Sequence, residues 1–134
     1  MTNKTLRLID ANLNRLKEGI RVVEDIFRYY YNDKEISLKL KSLRHLCRTD
    51  NYLEVLSTRD VNNDVLRESI KSEQNRNDLK SILIANFKRA QESARVLEEI
   101  TKLSSIKDSE NFKYIRYELY NLETVLTNIT SNSK

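Results

Sequence analysis

The chain has 134 residues, of which 39% are hydrophobic and 33% are charged, and its formal net charge is +4. It contains no proline and one glycine, so tight turns are few and long helices are favoured over hairpins. Most of the cationic residues are interleaved with acidic ones and form no basic stripe, which argues against a nucleic-acid-binding protein. No run of 18 apolar residues is present, so no membrane span is expected.

The single cysteine, Cys47, lies in the periodic run ISLKLKSLRHLC. A lone cysteine forms no internal disulfide, which is typical of proteins in a reducing compartment. We therefore expect a cytoplasmic protein in which Cys47 is a small buried hydrophobic residue.

One segment of the sequence occurs twice. Residues 11–26 read ANLNRLKEGIRVVEDI, and residues 85–100 read ANFKRAQESARVLEEI. Eight of the sixteen positions are identical at a constant offset of 74, whereas about one match is expected by chance from residue frequencies of roughly 5–10%. The identical pairs are Ala11/Ala85, Asn12/Asn86, Arg15/Arg89, Glu18/Glu92, Arg21/Arg95, Val22/Val96, Glu24/Glu98 and Ile26/Ile100. Such a repeat predicts two equivalent helices.

In the first half, apolar residues recur at steps of three and four over residues 4–31, which predicts one long helix. Its core-facing residues are predicted to be Leu6, Ile9, Leu13, Leu16, Ile20, Val23, Phe27 and Tyr30. Thr2 or Asn3 is expected to cap its start, and Asn32 and Asp33 to end it. A second helix is predicted over residues 34–48, capped by Asp33, with one apolar face formed by Ile36, Leu40, Leu43 and Cys47.

Residues 51–76 are less regular. The capping-box spacing of Asn51 and Glu54 predicts a short helix to about Ser57. Residues 58–76 are rich in Asn, Asp, Ser and Thr, which favour turns and caps over helix interiors. We interpret them as a long ordered loop with one helical turn, and loops of this length are often functional. Its charged residues include Arg59, Asp60, Asp64, Arg67, Glu73 and Arg76.

The second half repeats the order of the first. Residues 77–103 are predicted to form a long helix capped by Asn77 or Asp78, and the last helix is expected to begin at Asp108 or Ser109. The core-facing residues are predicted to be Leu79, Leu83, Phe87, Ala90, Ala94 and Leu97, then Phe112, Ile115, Leu119, Leu122, Leu126 and Ile129. The run LKSLR at 40–44 is echoed by FKYIR at 112–116. We therefore expect one all-α domain over 1–134, a helical bundle of two duplicated long-helix hairpins (5–48 and 78–120) with the 58–76 loop between them.

Two polar residues of each copy fall on an otherwise apolar flank. A helical wheel places Asn12 and Arg15 there in the first helix, and Asn86 and Arg89 in the second. We expect these arginines and asparagines to be buried or half-buried, and they then need partners, because an unsatisfied polar group costs about 1–3 kcal/mol. Acidic side chains or a bound anion would satisfy them.

Small and charged residues of the repeat allow structural and functional interpretations. Gly19 costs about 1 kcal/mol in a helix relative to alanine, so Gly19 and its small counterpart Ser93 indicate a tight helix crossing or room for a ligand. An outer stripe contains Glu18, Arg21, Glu92 and Arg95. At such spacings these residues form solvated ion pairs, or they lie at an interface or site.

The only histidine, His45, is a candidate acid–base group by residue type, although a lone histidine on a helix is more often structural. One glycine cannot form a glycine-rich phosphate loop, and no Cys/His cluster for a metal is visible in the sequence. Any phosphate must therefore be held by arginines and helix N-termini.

Several motifs follow one another in a fixed order: RLIDANLNRLKEGIRVVEDIFR, LKSLRH, TRD with NNDV, and EQNR leading into ANFKRAQESARVLEEITK. Over residues 7 to about 103 the chain resembles the small all-helical, monofunctional hydroxymethylpyrimidine-phosphate kinases of thiamin biosynthesis, which occur alone or fused ahead of thiamine-phosphate synthase. It departs from that family at Leu66, where Asp-Val-Gly is usual, and at 98–102, where the family reads Glu-Glu-Tyr-Ala-Lys. Leucine does not readily take positive φ, which bears on the geometry of the loop.

The resemblance implies transfer of the γ-phosphoryl group of ATP to hydroxymethylpyrimidine phosphate, which gives the diphosphate. Phosphoryl transfer depends mostly on positioning and charge neutralisation. From residue type, we expect the phosphates to be bound by Arg15, Arg59, Arg76 and Arg89. We expect Mg²⁺ to be held by Asp64 and Glu73, with Glu18 or Glu92 as a further ligand, together with phosphates and water. The aminopyrimidine would be bound by Asn12 and Asn86. The surrounding supporting residues would be Glu18, Arg21, His45, Glu92 and Arg95. No residue is assigned as a catalytic base.

Two other functions remain open. The chain is too short to contain a synthase barrel of about 200–250 residues, so it could be a non-catalytic helical partner of a separate thiamine-phosphate synthase. A chorismate-mutase-like enzyme is suggested by the opening run 6–10, but that function leaves the loop and the repeat unexplained. A homodimer is also possible, because the tyrosines would form a dimer face if exposed: Tyr29, Tyr31, Tyr114, Tyr117 and Tyr120.

Overall fold

The computed structural model describes residues 2–68 and 78–132, and within these ranges the only regular secondary structure is helical. Helix α1 spans Asn3–Asp25 and is capped by Thr2, whose hydroxyl accepts a hydrogen bond from the N–H of Thr5 at 3.2 Å. A π-helical turn over Ile26–Tyr30 continues it. The helix ends at Asn32, which adopts a positive φ of 53°, a conformation that asparagine tolerates better than most residues. The predicted long first helix and its cap are confirmed.

The prediction that Tyr30 faces the core is wrong, because its side chain is 68% exposed. A π-helical turn contains more residues than an α-helical turn, so the side chains that follow it are displaced from the α-helical register. Tyr31 packs on the buried ring of Phe27 instead, with the two ring centroids 5.1 Å apart.

Helix α2 spans Lys34–His45, and the Asp33 carboxylate caps it by accepting from the N–H of Ile36 at 3.0 Å. The short helix α3 spans Tyr52–Leu56, as predicted, although Asn51 makes no side-chain capping bond to it. The described part of the following loop contains one 3-10 turn, Val61–Asn63. This turn confirms the predicted helical turn, whereas residues 69–76 of the predicted loop lie outside the described ranges.

Helix α4 spans Leu79–Ile100, is capped by Asp78 and is followed by a 3-10 turn over Thr101–Leu103. Helix α5 spans Ile106–Asn132. The prediction that α5 begins at Asp108 or Ser109 is wrong. The Ser105 hydroxyl occupies the capping position, since it accepts from the N–H of Asp108 at 3.1 Å. The Ser109 hydroxyl instead donates to the carbonyl of Glu98 on α4 at 2.8 Å, and so ties the two helices together.

One hydrophobic cluster draws on all five helices. The predicted core residues of α1, α2, α4 and α5 are buried in it apart from Tyr30, which is exposed, and Leu79 and Leu122, which are partly buried. The side chain of Ile129 lies outside the described part. Cys47 is also buried, as expected, and its thiol donates to the carbonyl of Leu43. Burial raises the pKa of this thiol to about 12.

Each hairpin contains one buried ion pair at an equivalent position. In the first, Arg44 on α2 donates to the Glu24 carboxylate on α1 at 2.7 Å. In the second, Arg116 on α5 donates to Glu98 on α4 at 2.9 Å. The hydrogen bond to its glutamate raises the pKa of each arginine. In each half of the chain, the repeated sequence thus includes both partners of an ion pair that links the long helix to the helix after it.

Helices α1 and α4 pack against each other through the repeat. A Cβ atom at Gly19 would lie 3.0 Å from the carbonyl oxygen of Asn86 and 3.3 Å from the Cβ of Ala90. Asn12, nearly two turns earlier, shares a surface groove with Val96, so the two helices run antiparallel. The tight-crossing interpretation of Gly19 is therefore confirmed.

Among the described helices, none combines the length and the apolar character needed to cross a bilayer.

Candidate functional site

The loop after α3 is fixed to α1 by two contacts. The Arg59 guanidinium donates to both carboxylate oxygens of Asp10, each at 2.9 Å. Asp10 is 5% exposed, and a bidentate pair of this kind restricts both position and orientation. The Arg7 guanidinium donates to the backbone carbonyl of Asp60 at 3.1 Å. These contacts hold the start of the loop along the N-terminal half of α1.

The gap between α1 and this loop forms a groove of about 520 Å³, which we call the loop groove. Its lining residues are Lys4, Arg7, Leu8, Asp10, Ala11, Asn14, Arg15, Glu18, Arg59, Asp60, Val61 and Asp64. Four are cations and four are carboxylates. The Asn63 amide bonds to the Asp60 carboxylate and lowers its pKa, so this carboxylate is ionised at neutral pH.

A second groove, of about 540 Å³, lies along the crossing of α1 and α4, and we call it the helix groove. Its lining residues are Asn12, Arg15, Leu66, Ala85, Lys88, Arg89, Glu92, Ser93 and Val96. Three cations face one carboxylate here. The remaining side chains are an amide, a hydroxyl and three apolar groups.

Arg15 lines both grooves. Its guanidinium forms no ion pair with any other described side chain, and the same is true of Arg89, Glu18 and Glu92. Other charged residues of the repeat do pair: Arg21 with Asp25 at 3.3 Å, and Arg95 with Glu99 at 3.4 Å. Among the described residues, the repeat therefore contains some charges that pair within their own helices and others, at the grooves, that have no ion-pair partner.

Comparison with known proteins places this arrangement in a family. The model of the ThiD2 family matches residues 7–125. The chain belongs to the ThiD2 family. Over 122 residues it is 38% identical to a thiamine-phosphate synthase of Thermosynechococcus vestitus, covering 90% of this chain and 35% of that protein. It is 36% identical over 120 residues to a thiamine-phosphate synthase of Rhodopirellula baltica, covering 86% of this chain and 32% of that protein.

This ThiD2-family chain thus spans about a third of the length of the curated relatives it matches. Those relatives are 36–38% identical to the chain over the matched residues and carry the name of a thiamin-biosynthesis enzyme, which associates the chain with that process. The family resemblance inferred from the motifs is confirmed. No solved structure is significantly similar to the chain.

The structure brings several of the predicted ligand-binding residues of this ThiD2-family member together. Arg15, Arg59 and Asp64 line the loop groove, and Arg15 also lies with Asn12 and Arg89 at the helix groove. Of the predicted supporting residues, Glu18 lines the first groove and Glu92 the second. Their roles in binding stay predictions.

The expectation that Arg15 and Arg89 are half-buried is wrong, because both are exposed. A helical wheel gives the direction of Cβ, whereas a long arginine side chain extends beyond its flank into solvent. Asn12 is 6% exposed, as expected. Its side-chain nitrogen donates to the carbonyl of Leu8 at 2.9 Å, and that of Asn86 donates to Ile82 at 2.8 Å. Both asparagines therefore already use a donor within their own helices.

Other predicted residues do not join either groove. Arg21 and Arg95 pair with neighbouring acids of their own helices. His45 is exposed at the end of α2 and lines neither groove. Asn86 contacts the helix crossing through its backbone. Glu73 and Arg76 lie outside the described residues.

The fit of the expected Mg²⁺ ion can be examined at Asp64. Its carboxylate lies at the loop groove and accepts from the N–H of Leu66 at 3.0 Å. In the described part of the chain, no three His, Cys, Asp or Glu side chains cluster closely enough to hold a metal. Mg²⁺ commonly takes only one or two protein carboxylates and completes its shell with phosphates and water. Asp64 and Glu18 both line the loop groove and carry carboxylate oxygens, which are the donors that Mg²⁺ prefers.

The departure of this ThiD2-family chain at Leu66 is accommodated without positive φ, since Asn32 is the only described residue other than glycine with that conformation. Asp10, Arg7 and Lys88 line the grooves although the sequence did not predict it, whereas room for a ligand was one of the two interpretations given for Ser93. Arg7 and Asp10 belong to the motif RLIDANLNR of α1, but their contacts depend on the position of the loop. For Ser93, the equivalence with Gly19 was the available signal.

Proposed function

We propose that this chain transfers the γ-phosphoryl group of ATP to hydroxymethylpyrimidine phosphate in thiamin biosynthesis. The observation that carries the proposal is the position of Arg15. In a ThiD2-family chain, this repeated arginine has no ion-pair partner among the described residues and lines two adjoining grooves. Transfer between two phosphorylated substrates needs cationic groups where their phosphates meet.

The reaction needs little from the protein beyond positioning. A terminal oxygen of the pyrimidine monophosphate attacks the γ-phosphorus of ATP, and the bond from that phosphorus to the β,γ-bridging oxygen breaks. The products are the pyrimidine diphosphate and ADP. The second pKa of a phosphate monoester is about 6, so the attacking oxygen is already ionised at neutral pH. This chemistry works without a protein general base.

The residues at the grooves would share the remaining tasks. Arg15, Arg59 and Arg89 would bind phosphate oxygens and offset the negative charge of the two substrates. Mg²⁺ would supply further charge neutralisation at the nucleotide phosphates, with Asp64 and Glu18 as its protein ligands. Asn12 would orient the aminopyrimidine through the side-chain oxygen that its bond to Leu8 leaves available.

The test is ADP release by the purified chain. We expect ADP only when ATP, Mg²⁺ and hydroxymethylpyrimidine phosphate are all present. Arg15→Ala should lower kcat/KM by about tenfold or more, because a hydrogen bond to a charged group contributes about 1.5–3 kcal/mol. Arg48→Ala is the matched control, since Arg48 is an exposed arginine that lines neither groove. A folded wild-type sample without turnover would contradict the proposal.

A second function is favoured by the lengths of the relatives. The chain matches only 32–37% of each thiamine-phosphate synthase, so a non-catalytic role as a helical partner of a separate synthase is the alternative. That role predicts co-purification with the synthase and a melting temperature unchanged by ATP. The kinase role predicts a higher melting temperature with ATP and Mg²⁺ through mass action. The family match lends no support to a chorismate-mutase-like activity.

A further inference from the structure

We infer that the two substrates occupy separate grooves that meet at Arg15: the nucleotide polyphosphate lies in the loop groove, and the pyrimidine monophosphate lies in the helix groove. This inference rests on the proposed kinase function. It assigns each substrate to a set of residues and gives Arg15 contacts with both. It also adds Lys4 and Ser93 to the binding residues.

The charges of the loop groove fit a metal-bound polyphosphate. Its four cations are matched by four carboxylates, and Asp10 uses both of its oxygens to hold Arg59 in place. A bare phosphate would be repelled by Glu18, Asp60 and Asp64, whereas Mg²⁺ on a nucleotide turns such carboxylates into ligands. The cations nearby would bind the phosphate oxygens that the metal leaves free.

The helix groove fits a smaller anion attached to a ring. Lys88 pairs with Glu123 at 3.2 Å, which leaves Arg15 and Arg89 beside the single carboxylate of Glu92. A monophosphate would therefore enter a site with excess positive charge. Leu66, Ala85 and Val96 provide apolar surface for a methylated ring. Ser93, which is 4% exposed, and Asn12, which is 6% exposed, provide a hydroxyl and an amide oxygen for its polar edge.

The two copies of the repeat differ in ways that make the grooves inequivalent. Gly19 closes its side of the helix crossing by contact with the backbone of Asn86, whereas its counterpart Ser93 lines the helix groove. The Asp10–Arg59 pair holds the loop against α1, and position 84, the counterpart of Asp10, is an isoleucine. Only Arg15 therefore faces both grooves, while Arg89 faces one.

The experiment measures the binding of each ligand separately. Calorimetry would use a non-hydrolysable ATP analogue with Mg²⁺ in one series and hydroxymethylpyrimidine phosphate in the other. Arg59→Gln should lower the affinity for the analogue about tenfold and change the affinity for the pyrimidine phosphate by less than about threefold. Arg89→Gln should lower the affinity for the pyrimidine phosphate about tenfold and change that for the analogue by less than about threefold. Arg15→Gln should weaken both ligands about tenfold. Lys4→Ala is a second loop-groove variant, because Lys4 lines that groove and forms no hydrogen bond or ion pair with the described residues of the loop.

The outcomes separate this inference from the proposed function. Wild-type protein that binds neither ligand contradicts both. Binding of both ligands, with Arg59→Gln and Arg89→Gln each weakening the two ligands equally, means one shared site and overturns the inference while the kinase proposal stands. The assignment would be overturned if Arg59→Gln weakened only the pyrimidine phosphate and Arg89→Gln weakened only the analogue. It would also be overturned if Arg15→Gln left the affinity for either ligand unchanged. Circular dichroism and melting temperature confirm that each variant is folded, and Lys4→Ala replaces Arg59→Gln if the latter unfolds.

Discussion

Gly19 lies where the backbone of α4 approaches α1, and this position combines two opposing effects. Alanine would improve helix propensity by about 1 kcal/mol. Its Cβ atom would, however, lie 3.0 Å from a backbone oxygen and 3.3 Å from the Cβ of Ala90, and overpacking of this kind costs about 1–3 kcal/mol. Neither neighbouring atom belongs to a flexible side chain that could rotate away.

We therefore predict that Gly19→Ala lowers the free energy of unfolding by about 1 kcal/mol and that Gly19→Leu lowers it by about 3 kcal/mol or more. Urea denaturation followed by circular dichroism measures both. Ser93→Ala is the matched control at the equivalent position of α4, and it should change stability much less because it removes one atom. A Gly19→Ala variant more stable than wild type would show that the two helices can separate without cost.

The polar residues of the repeat show what a helical wheel can and cannot predict about burial. It correctly predicted that Asn12 is buried, because a short side chain ends close to its own Cβ. It failed for Arg15, whose long side chain carries its charge out of the apolar flank. The side-chain nitrogens of Asn12 and Asn86 donate to carbonyl groups one turn earlier in their own helices. Their burial therefore does not require a partner from another helix or a ligand for this donor.

Between elements, the strongest repeated feature is the ion pair within each hairpin. Glu24 and Glu98 are identical positions of the repeat, and Arg44 and Arg116 occupy the echoed segment. The sequence therefore contained the signal for these pairs, since both partners recur in both halves. It could not show that they face each other, because this depends on the way each hairpin closes.

The two ion pairs should differ in their sensitivity to loss of the arginine. Arg44→Met leaves Glu24, whose side chain is 2% exposed, without a cation within ion-pair distance among the described residues. Arg116→Met leaves Glu98 with Arg95 at 3.6 Å. We predict a loss of about 3–5 kcal/mol for Arg44→Met, since an unpaired buried charge is costly, and a smaller loss for Arg116→Met.

Denaturant titration of the two single variants measures this difference. The double variant Glu24→Leu/Arg44→Met serves as the control, because replacement of a whole buried pair by apolar residues is often close to neutral. Equal losses in the two single variants would contradict the compensating role of Arg95. If the double variant is as unstable as Arg44→Met, the loss of stability comes from altered packing and not from the unpaired charge of Glu24.

Two element boundaries could not be read from the sequence. The π-helical turn Ile26–Tyr30 has no distinct residue pattern, and it displaced Tyr30 from the predicted apolar face. At the start of α5, Ser105, Asp108 and Ser109 are all suitable caps. Tertiary structure decides which of them caps the helix, because the Ser109 hydroxyl donates to the carbonyl of Glu98 on α4 instead.

For the molecule as a whole, periodicity and the repeat were sufficient to predict the helices and their pairing into hairpins. The grooves could not be predicted in the same way, because they depend on the distances between α1, α4 and the loop. Residue type identified Arg15, Arg59 and Arg89 as candidates for phosphate binding. Only the structure shows that Arg15 lies between two grooves and that Asp10 holds Arg59 in place. Four of the five tyrosines suggested for a dimer face are exposed, namely Tyr29, Tyr114, Tyr117 and Tyr120, and the homodimer stays a prediction.

The shared core predicts that both halves of the chain unfold together. Leu16 on α1 and Leu97 on α4 are both 0% exposed and belong to one cluster that reaches every helix. We expect Leu16→Ala and Leu97→Ala each to lower the free energy of unfolding by about 2–5 kcal/mol, with a single transition that coincides by circular dichroism and by tyrosine fluorescence. Leu103→Ala is the control, because this side chain is 75% exposed and surface changes stay within about 0.5 kcal/mol. Two separate transitions in either core variant would mean that the duplicated hairpins are independent folding units, in spite of the crossing at Gly19.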